Sequence, residues 1–383
     1  MIQYCRKCCY PSTKPQIIFD KDGVCNACRN YENRKNIDWE KRKQELLGIL
    51  DRYRSKDGTN WDCIIPVSGG KDSTYQVIKM LEFGMNPLCV TATTCDLTDN
   101  GVDNINNLKG LGVDYIEYTS NRVVRAKLNR IGLKEVGDIS WPEHASIYTA
   151  PMQIAVKFGI PLIVWGENSQ EDCGGPAAEV DNNILDRKWL EDFGCFLGLT
   201  PEKIEGTEGI TKRELIPYMY PTDEELKRVG VTGIFLGYYI PWDGVDNKII
   251  ATAHGFKSWG KAVEGQMIDY EHLDNYQTGI HDYFKFLKYG FGRATDQAAL
   301  HVIHGRLTRE QAMNIVKERD GVFPWSYLDK PLEEILKPLE LTVEEFIDIC
   351  DKFTNKELFV TDSDGKLVKD SNGNLIKINY DNE

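Results

Sequence analysis

The stretch Asp62–Ser73, DCIIPVSGGKDS, constrains the fold more than any other part of the chain. A short β-branched run from Cys63 to Val67 ends in Ser68-Gly69-Gly70-Lys71-Asp72-Ser73. Apolar residues Val77, Ile78 and Leu81 then recur at helical spacing. The pattern predicts a strand, a tight glycine turn and a helix over 74–84. Two glycines let the backbone turn sharply and bring its N–H groups close to a ligand, and a helix N-terminus adds unpaired donors and a positive dipole. Such a turn suits an anion, best a phosphate. Lys71 adds a cation, Ser68 and Ser73 add hydroxyls, and Asp72 makes sense beside a phosphate as a ligand for Mg²⁺. The order SGGKDS is not that of a Walker loop, which needs a glycine several residues upstream and Lys-Ser/Thr at its end.

Beyond the loop the pattern repeats. Leu88–Thr93, Tyr115–Tyr118, Leu162–Trp165 and Ile234–Ile240 read as strands, with helical stretches at Gly101–Gly112 and Ala145–Phe158. This alternation predicts an α/β fold with a doubly wound, mainly parallel sheet, whose ligands sit at the carboxyl ends of the strands. Thr91 to Thr94 then falls where an adenosine would meet a strand end. Gly166, Glu167 and Asn168 open a polar, glycine-rich loop suited to nucleotide or substrate binding, or to a solvated connection. Trp242 follows the last run, where an aromatic ring either stacks on a sugar or base or packs in the core.

Ahead of the loop, Cys5-x₂-Cys8 and Cys25-x₂-Cys28 lie sixteen residues apart, the spacing of a four-thiolate zinc site. A redox or iron–sulfur site is the rival, and Cys9 could replace Cys8. Such a closed site is structural, and metal would supply folding energy to a segment with little core of its own. Residues 30–54 read as one charged amphipathic helix. Further along, HDYFKFLKYGFGRATDQ (281–297) carries Lys285 and Lys288 three apart on a helix, then Arg293 after a glycine break. These cations are candidates for binding phosphates or stabilising charge in group transfer, or else a solvated face. His301 and His304 read as core or surface. Capping boxes at Thr222, Thr308 and Thr342 open helices, and 363–374 resembles a hairpin. The expected divisions are 1–58 (cysteine knuckle and linking helix), 59–255 (loop-bearing domain) and 256–383 (mostly helical region over the site).

At 383 residues, 41% hydrophobic and 27% charged, the chain is globular and large enough for more than one domain. A formal charge of −13 argues against a broad nucleic-acid surface. No apolar stretch reaches membrane-span length, and MIQYCRKCCY lacks a signal peptide's apolar core. A cytoplasmic protein is therefore expected, with its eleven cysteines in metal sites or as free thiols.

SGGKDS resembles the pyrophosphate loop of the PP-loop ATP pyrophosphatases. Together with the paired cysteine knuckles, WGENSQEDCGGP and HDYFKFLKYGFGRATDQ, it is similar to the N-acetyl sugar amidotransferases of bacterial surface-sugar pathways, those of O-antigen and of nonulosonic acids such as pseudaminic and legionaminic acid. The resemblance implies that ATP adenylates the carbonyl oxygen of a sugar's acetamido group and that ammonia then displaces AMP, leaving an acetamidino group. It also implies a nucleotide-linked sugar as substrate. Ser68 to Ser73 and Gly166 would hold ATP, Asp72 would bind Mg²⁺, and Lys285, Lys288 and Arg293 would act on the phosphates. Neither a G-x-C-x-G elbow nor a cysteine after Met1 is present, so a separate glutaminase is expected to supply ammonia. Two other readings stay open, a tRNA-thiolating PP-loop enzyme using Cys95 and Cys173, and a non-catalytic nucleotide-binding module.

Overall fold

The computed structural model describes residues 2–167, 184–185 (backbone only) and 196–378. Its central sheet has the order β3-β2-β1-β4-β6-β5. The strands are β1 Cys63–Pro66, β2 Pro87–Ala92, β3 Asp114–Tyr118, β4 Leu162–Trp165, β5 Ile184–Leu185 and β6 Thr232–Phe235. Every neighbouring pair is parallel except β5, which runs antiparallel to β6 at the edge. Because alternate side chains of a strand point to opposite faces, Cys63 and Ile65 of β1 join one core layer and Ile64 joins the other. The first layer is closed by Leu46 and Leu50 of α2 (Trp39–Tyr53) and by Val77 and Met80 of α3 (Lys71–Glu82). The second is closed by Met152, Ile154 and Ala155 of α6 (Trp141–Phe158). Helices on both faces explain why the central strands β1 and β4 are apolar throughout, whereas the edge strand β3 keeps Asp114 and Glu117 exposed.

Three local expectations need correction. Residues 30–54 are not one helix but two, α1 (Asn26–Arg34) and α2, because Asp38 caps a new start by accepting from the Lys41 N–H at 3.0 Å. The last expected strand is shorter than its apolar run: β6 ends at Phe235, and Leu236–Tyr239 turns into a short helix. A helix that was not expected, α5 (Arg122–Val136), is capped by Asn121 and buries Val124, Leu128 and Ile131. Between β2 and β3 lies α4 (Asp99–Lys109), capped by Thr98.

Past the sheet come α7 (Gly244–Ala253), α8 (Thr278–Tyr289), α9 (Arg293–Ile303), α10 (Arg309–Arg319) and α11 (Val343–Phe353). Gly290, at φ +72°, ends α8 in the left-handed conformation that favours glycine, and Gly292 then caps α9. Phe284, Leu287, Phe346 and Phe359 build a core of their own for this region. The tail beyond α11 pairs through isolated bridges, Thr361 with Leu367 and Lys369 with Leu375. The N-terminal cysteine segment does not stand apart: Cys8, Cys9, Tyr10 and Cys28 pack on Ala298, Ala299 and Ile303 of α9 and on Ala312 and Val316 of α10.

Candidate active site

Chain connections leave β1 toward β2 on one side, while β4 pairs with β1 on the other, so the crevice of this sheet opens at the carboxyl ends of β1 and β4. Ser68–Ser73 follows the first strand and Gly166–Glu167 the second. In the turn, Gly69 has φ +82°, and a Cβ there would lie 2.9 Å from the backbone nitrogen of Ile105. Neither the conformation nor the space accepts a side chain. Ser68 Oγ accepts from Gly70 N–H at 3.3 Å, and Ser73 Oγ donates to Gly70 C=O at 3.0 Å, so the hydroxyls tie the turn to itself. Gly70 caps α3 with no side-chain acceptor, which leaves the first turn of that helix for an external anion. A Gly69→Ala chain is expected to bind ATP at least tenfold more weakly, with a stability loss of about 1–3 kcal/mol from the strained backbone. Nucleotide titration beside a thermal melt checks both.

Lys71 is 4% exposed and sits between two carboxylates, Asp72 Oδ2 at 2.5 Å and Glu271 Oε1 at 3.0 Å. Burial alone would lower its pKa, but the two acids outweigh it and keep the ammonium charged. Burial likewise pushes the Glu271 carboxyl up, and Lys71, His272 and Arg293 together outweigh it, holding Glu271 at about 2. The other oxygen of Asp72 accepts from Asn247 Nδ2 at 2.9 Å, a contact made by α7 across 175 residues of sequence. All but Asn247 line one cavity of about 460 Å³, within the range of small-molecule sites. Two carboxylates facing this cavity beside the glycine turn fit a hard dication such as Mg²⁺ bridging to phosphate.

The opposite wall comes from the C-terminal region. Lys285 pairs with Asp296, and Arg293 Nη2 donates to Asp282 Oδ1 at 3.1 Å; Lys285, Arg293 and Asp296 all line the cavity. Lys14 joins them from the cysteine segment, 3.9 Å from Asp296. Burial lowers the pKa of Lys285, against the pull of Asp296. Lys288 is placed elsewhere: it donates to the carbonyls of Val136 and Gly137 at 2.8 and 3.0 Å, at the end of α5. Three residues of separation along α8 therefore do not bring Lys285 and Lys288 to one ligand.

The remaining expected residues divide. Glu167 and Trp242 line the cavity, and a Cβ on Gly166 would meet the Trp242 ring at 3.2 Å, so glycine lets that ring lie against the end of β4. Trp242 also packs edge-on to Tyr75 at 5.2 Å, so its ring belongs to the core and to the cavity wall alike. Asn168 and Cys173 lie outside the described residues. Thr91 is not in the cavity wall: its hydroxyl donates to Val67 C=O and lies 2.5 Å from the Tyr115 hydroxyl, inside the sheet. Thr94 Oγ is buried without a hydrogen-bond partner among the described residues. Two residues read only as core or surface belong to the cavity, His301 and His304, the latter paired with Asp243, which also receives Arg306. Glu271, Asn247 and Lys14 were not anticipated either. No local motif marks them, because each reaches the turn only through tertiary packing.

The four cysteines Cys5, Cys8, Cys25 and Cys28 are fully buried and their sulfurs converge within 4.8 Å. Cys5 and Cys28 sulfurs are 3.9 Å apart, Cys8 and Cys25 sulfurs 3.7 Å. Four sulfurs about 2.3 Å from one ion stand about 3.8 Å apart in a tetrahedron, so the arrangement is compatible with zinc. Backbone N–H groups of Lys7, Cys8 and Cys25 point at Cys5 Sγ at 3.3–3.4 Å and offset thiolate charge. Cys9 is turned away, its thiol toward Thr295 C=O at 3.6 Å, so Cys8 rather than Cys9 belongs to the cluster.

Residues 264–371 match the family model described as "LPS biosynthesis protein WbpG-like, C-terminal domain". That span contains α8 and α9, and it bears out the lipopolysaccharide-pathway resemblance read from the segment around Lys285 and Arg293. Among curated proteins, "Uncharacterized protein MJ1599" of Methanocaldococcus jannaschii is 29% identical over 148 residues, 34% of this chain and 52% of that protein. The chain thus spans about half the length of the curated relative it matches. Among solved structures, "Structure of NMN synthetase from Francisella tularensis" is similar over 50% of this chain and 92% of that chain, at 13% identity and a TM-score of 0.28.

Proposed function

We propose that this chain is an ATP-dependent amidotransferase, which converts the acetamido group of a nucleotide-linked sugar to an acetamidino group and releases AMP and pyrophosphate. One observation carries the reading. The SGGKDS turn, with Lys71 held between Asp72 and Glu271, faces Lys14, Lys285 and Arg293 across a single cavity. An anion-binding turn with two acids suits a metal-chelated triphosphate, and cations opposite suit the charge that builds as the α-phosphorus changes partners. The match of residues 264–371 to the WbpG-like C-terminal domain supports a role in lipopolysaccharide-type sugar biosynthesis.

In this reading Ser68 to Ser73 bind the pyrophosphate portion of ATP, and Asp72 with Glu271 would hold Mg²⁺, which neutralises phosphate charge. Arg293 and Lys285, now spent on Asp282 and Asp296, would exchange part of those pairs for phosphate oxygens. The acetamide oxygen attacks the α-phosphorus and pyrophosphate leaves; ammonia adds to the activated carbon, and AMP departs with the former carbonyl oxygen. Trp242 and Glu167 would contact the sugar or its nucleotide. Ammonia comes from a separate glutaminase or from solution, and Cys5, Cys8, Cys25 and Cys28 hold structural zinc. Lys288 has no part in it.

The thiolation reading fares worse on one point: burial pushes the Cys95 thiol up to about 11, away from a reactive thiolate. Pyrophosphate release from ATP-Mg²⁺ with ammonium and a panel of CMP- and UDP-linked acetamido sugars tests the proposal. Stimulation by one sugar class is expected. Stimulation by unmodified tRNA instead, or none by any sugar, would sink it.

A further inference from the structure

Behind the cavity the structure assembles a second group of metal-binding side chains, unlike the cysteine cluster. Asp138 sits in the turn between α5 and α6, His144 in the first turn of α6, and His281 in the first turn of α8. One donor atom from each lies within 4.8 Å of the other two. His144 Nδ1 and Asp138 Oδ2 are 2.9 Å apart, a hydrogen-bond distance that would widen to about 3.4 Å for two ligands about 2.1 Å from one tetrahedral ion. The two imidazoles meet edge to face, with centroids 5.0 Å apart. His281 Nδ1 faces Asp282 Oδ1 at 3.2 Å, the carboxylate pairing that fixes the tautomer of a metal-binding histidine and leaves its other nitrogen as a donor. Asp138 is held in turn by the Ser140 N–H at 2.9 Å.

We propose that Asp138, His144 and His281 bind a divalent transition-metal ion. Two imidazole nitrogens and one carboxylate oxygen suit Zn²⁺, Co²⁺, Ni²⁺ or Fe²⁺ rather than Mg²⁺ or Ca²⁺, and three ligands leave an open position. Asp282, the partner of His281, also contacts His272 and Arg293, both in the cavity wall, so the ion would lie one carboxylate away from the cavity. The buried Asp282 carboxylate offsets the Arg293 charge that would otherwise oppose a cation here. The inference does not depend on the amidotransferase reading.

Titration of Co²⁺ into protein whose cysteine cluster is filled with zinc tests it, with the visible d–d absorption as readout. One further equivalent should bind, without the thiolate-to-cobalt charge-transfer bands that a cysteine site gives. His144→Ala and His281→Ala should each weaken that binding tenfold or more, and Asp138→Asn should do the same if either histidine variant fails to fold. Absence of a saturable cobalt signal in the unmodified protein overturns the proposal. So does a signal unchanged in any two folded variants of the three.

Discussion

A chain carrying Asp72→Asn is expected to keep its fold and lose ATP cleavage by about 10²–10³-fold, the scale on which removing one electrostatic contact acts on a charged transition state. The replacement keeps an oxygen able to accept from Asn247, as Asp72 Oδ1 does at 2.9 Å, so the tie to α7 survives. Lys71 also keeps its second acid, Glu271 at 3.0 Å, so no buried charge is stranded. What is lost is one of two anionic charges proposed to hold Mg²⁺. Glu271→Gln should act similarly, whereas Lys71→Met removes the cation held between both acids and should cost stability as well, about 3–5 kcal/mol for a broken buried pair. Pyrophosphate release and a thermal melt on each variant separate the two effects. A wild-type rate in Asp72→Asn would remove this carboxylate from the chemistry.

Stripping the metal expected at Cys5, Cys8, Cys25 and Cys28, or replacing Cys25 by Ser, should lower the melting midpoint by on the order of 10 °C, as loss of several kcal/mol does in a domain of this size. The cysteine segment is welded to the C-terminal helices: Arg309 Nε donates to Cys5 C=O at 3.0 Å, and Tyr10 is buried against α9. Its loosening would expose Ala298, Ala299 and Val316 and withdraw Lys14 from the cavity. Activity should therefore fall with the metal, although the cluster has no open position for chemistry. Lys14→Ala gives the complementary result: lowered activity with an unchanged melt. A chelated protein with normal melting and activity would show that the cluster needs no metal.

Much of the sheet could be read in advance, because each strand of a doubly covered parallel sheet is a short β-branched run that ends in turn residues. Cys63–Pro66 and Leu162–Trp165 are such runs. The run after Gly233 misleads at its end, since Leu236 to Tyr239 is as apolar as a strand but turns helical past the sheet's edge. Helix α5 was legible in principle, with Asn121 as its cap and Val124, Leu128 and Ile131 at helical spacing. For the site, the anion-binding turn and the cysteine ligands are local in sequence and carry their own spacing. Lys288 shows the limit of that reasoning: three residues along a helix put it near Lys285, but the end of α5 captures its ammonium. Glu271 and Asn247 have no signature at all, because only the packing of distant segments gives them meaning.

The central claim is that the acetamide oxygen becomes the oxygen that bonds to the α-phosphorus of ATP. Supplying the substrate sugar with oxygen-18 in its acetamido carbonyl, together with ATP-Mg²⁺ and ammonium, tests this most directly. AMP heavier by about 2 Da and a sugar lighter by about 3 Da are the results the account requires, since the labelled oxygen is replaced by NH and leaves on phosphorus. Unlabelled AMP, with the label retained in the sugar or released to water, would contradict it.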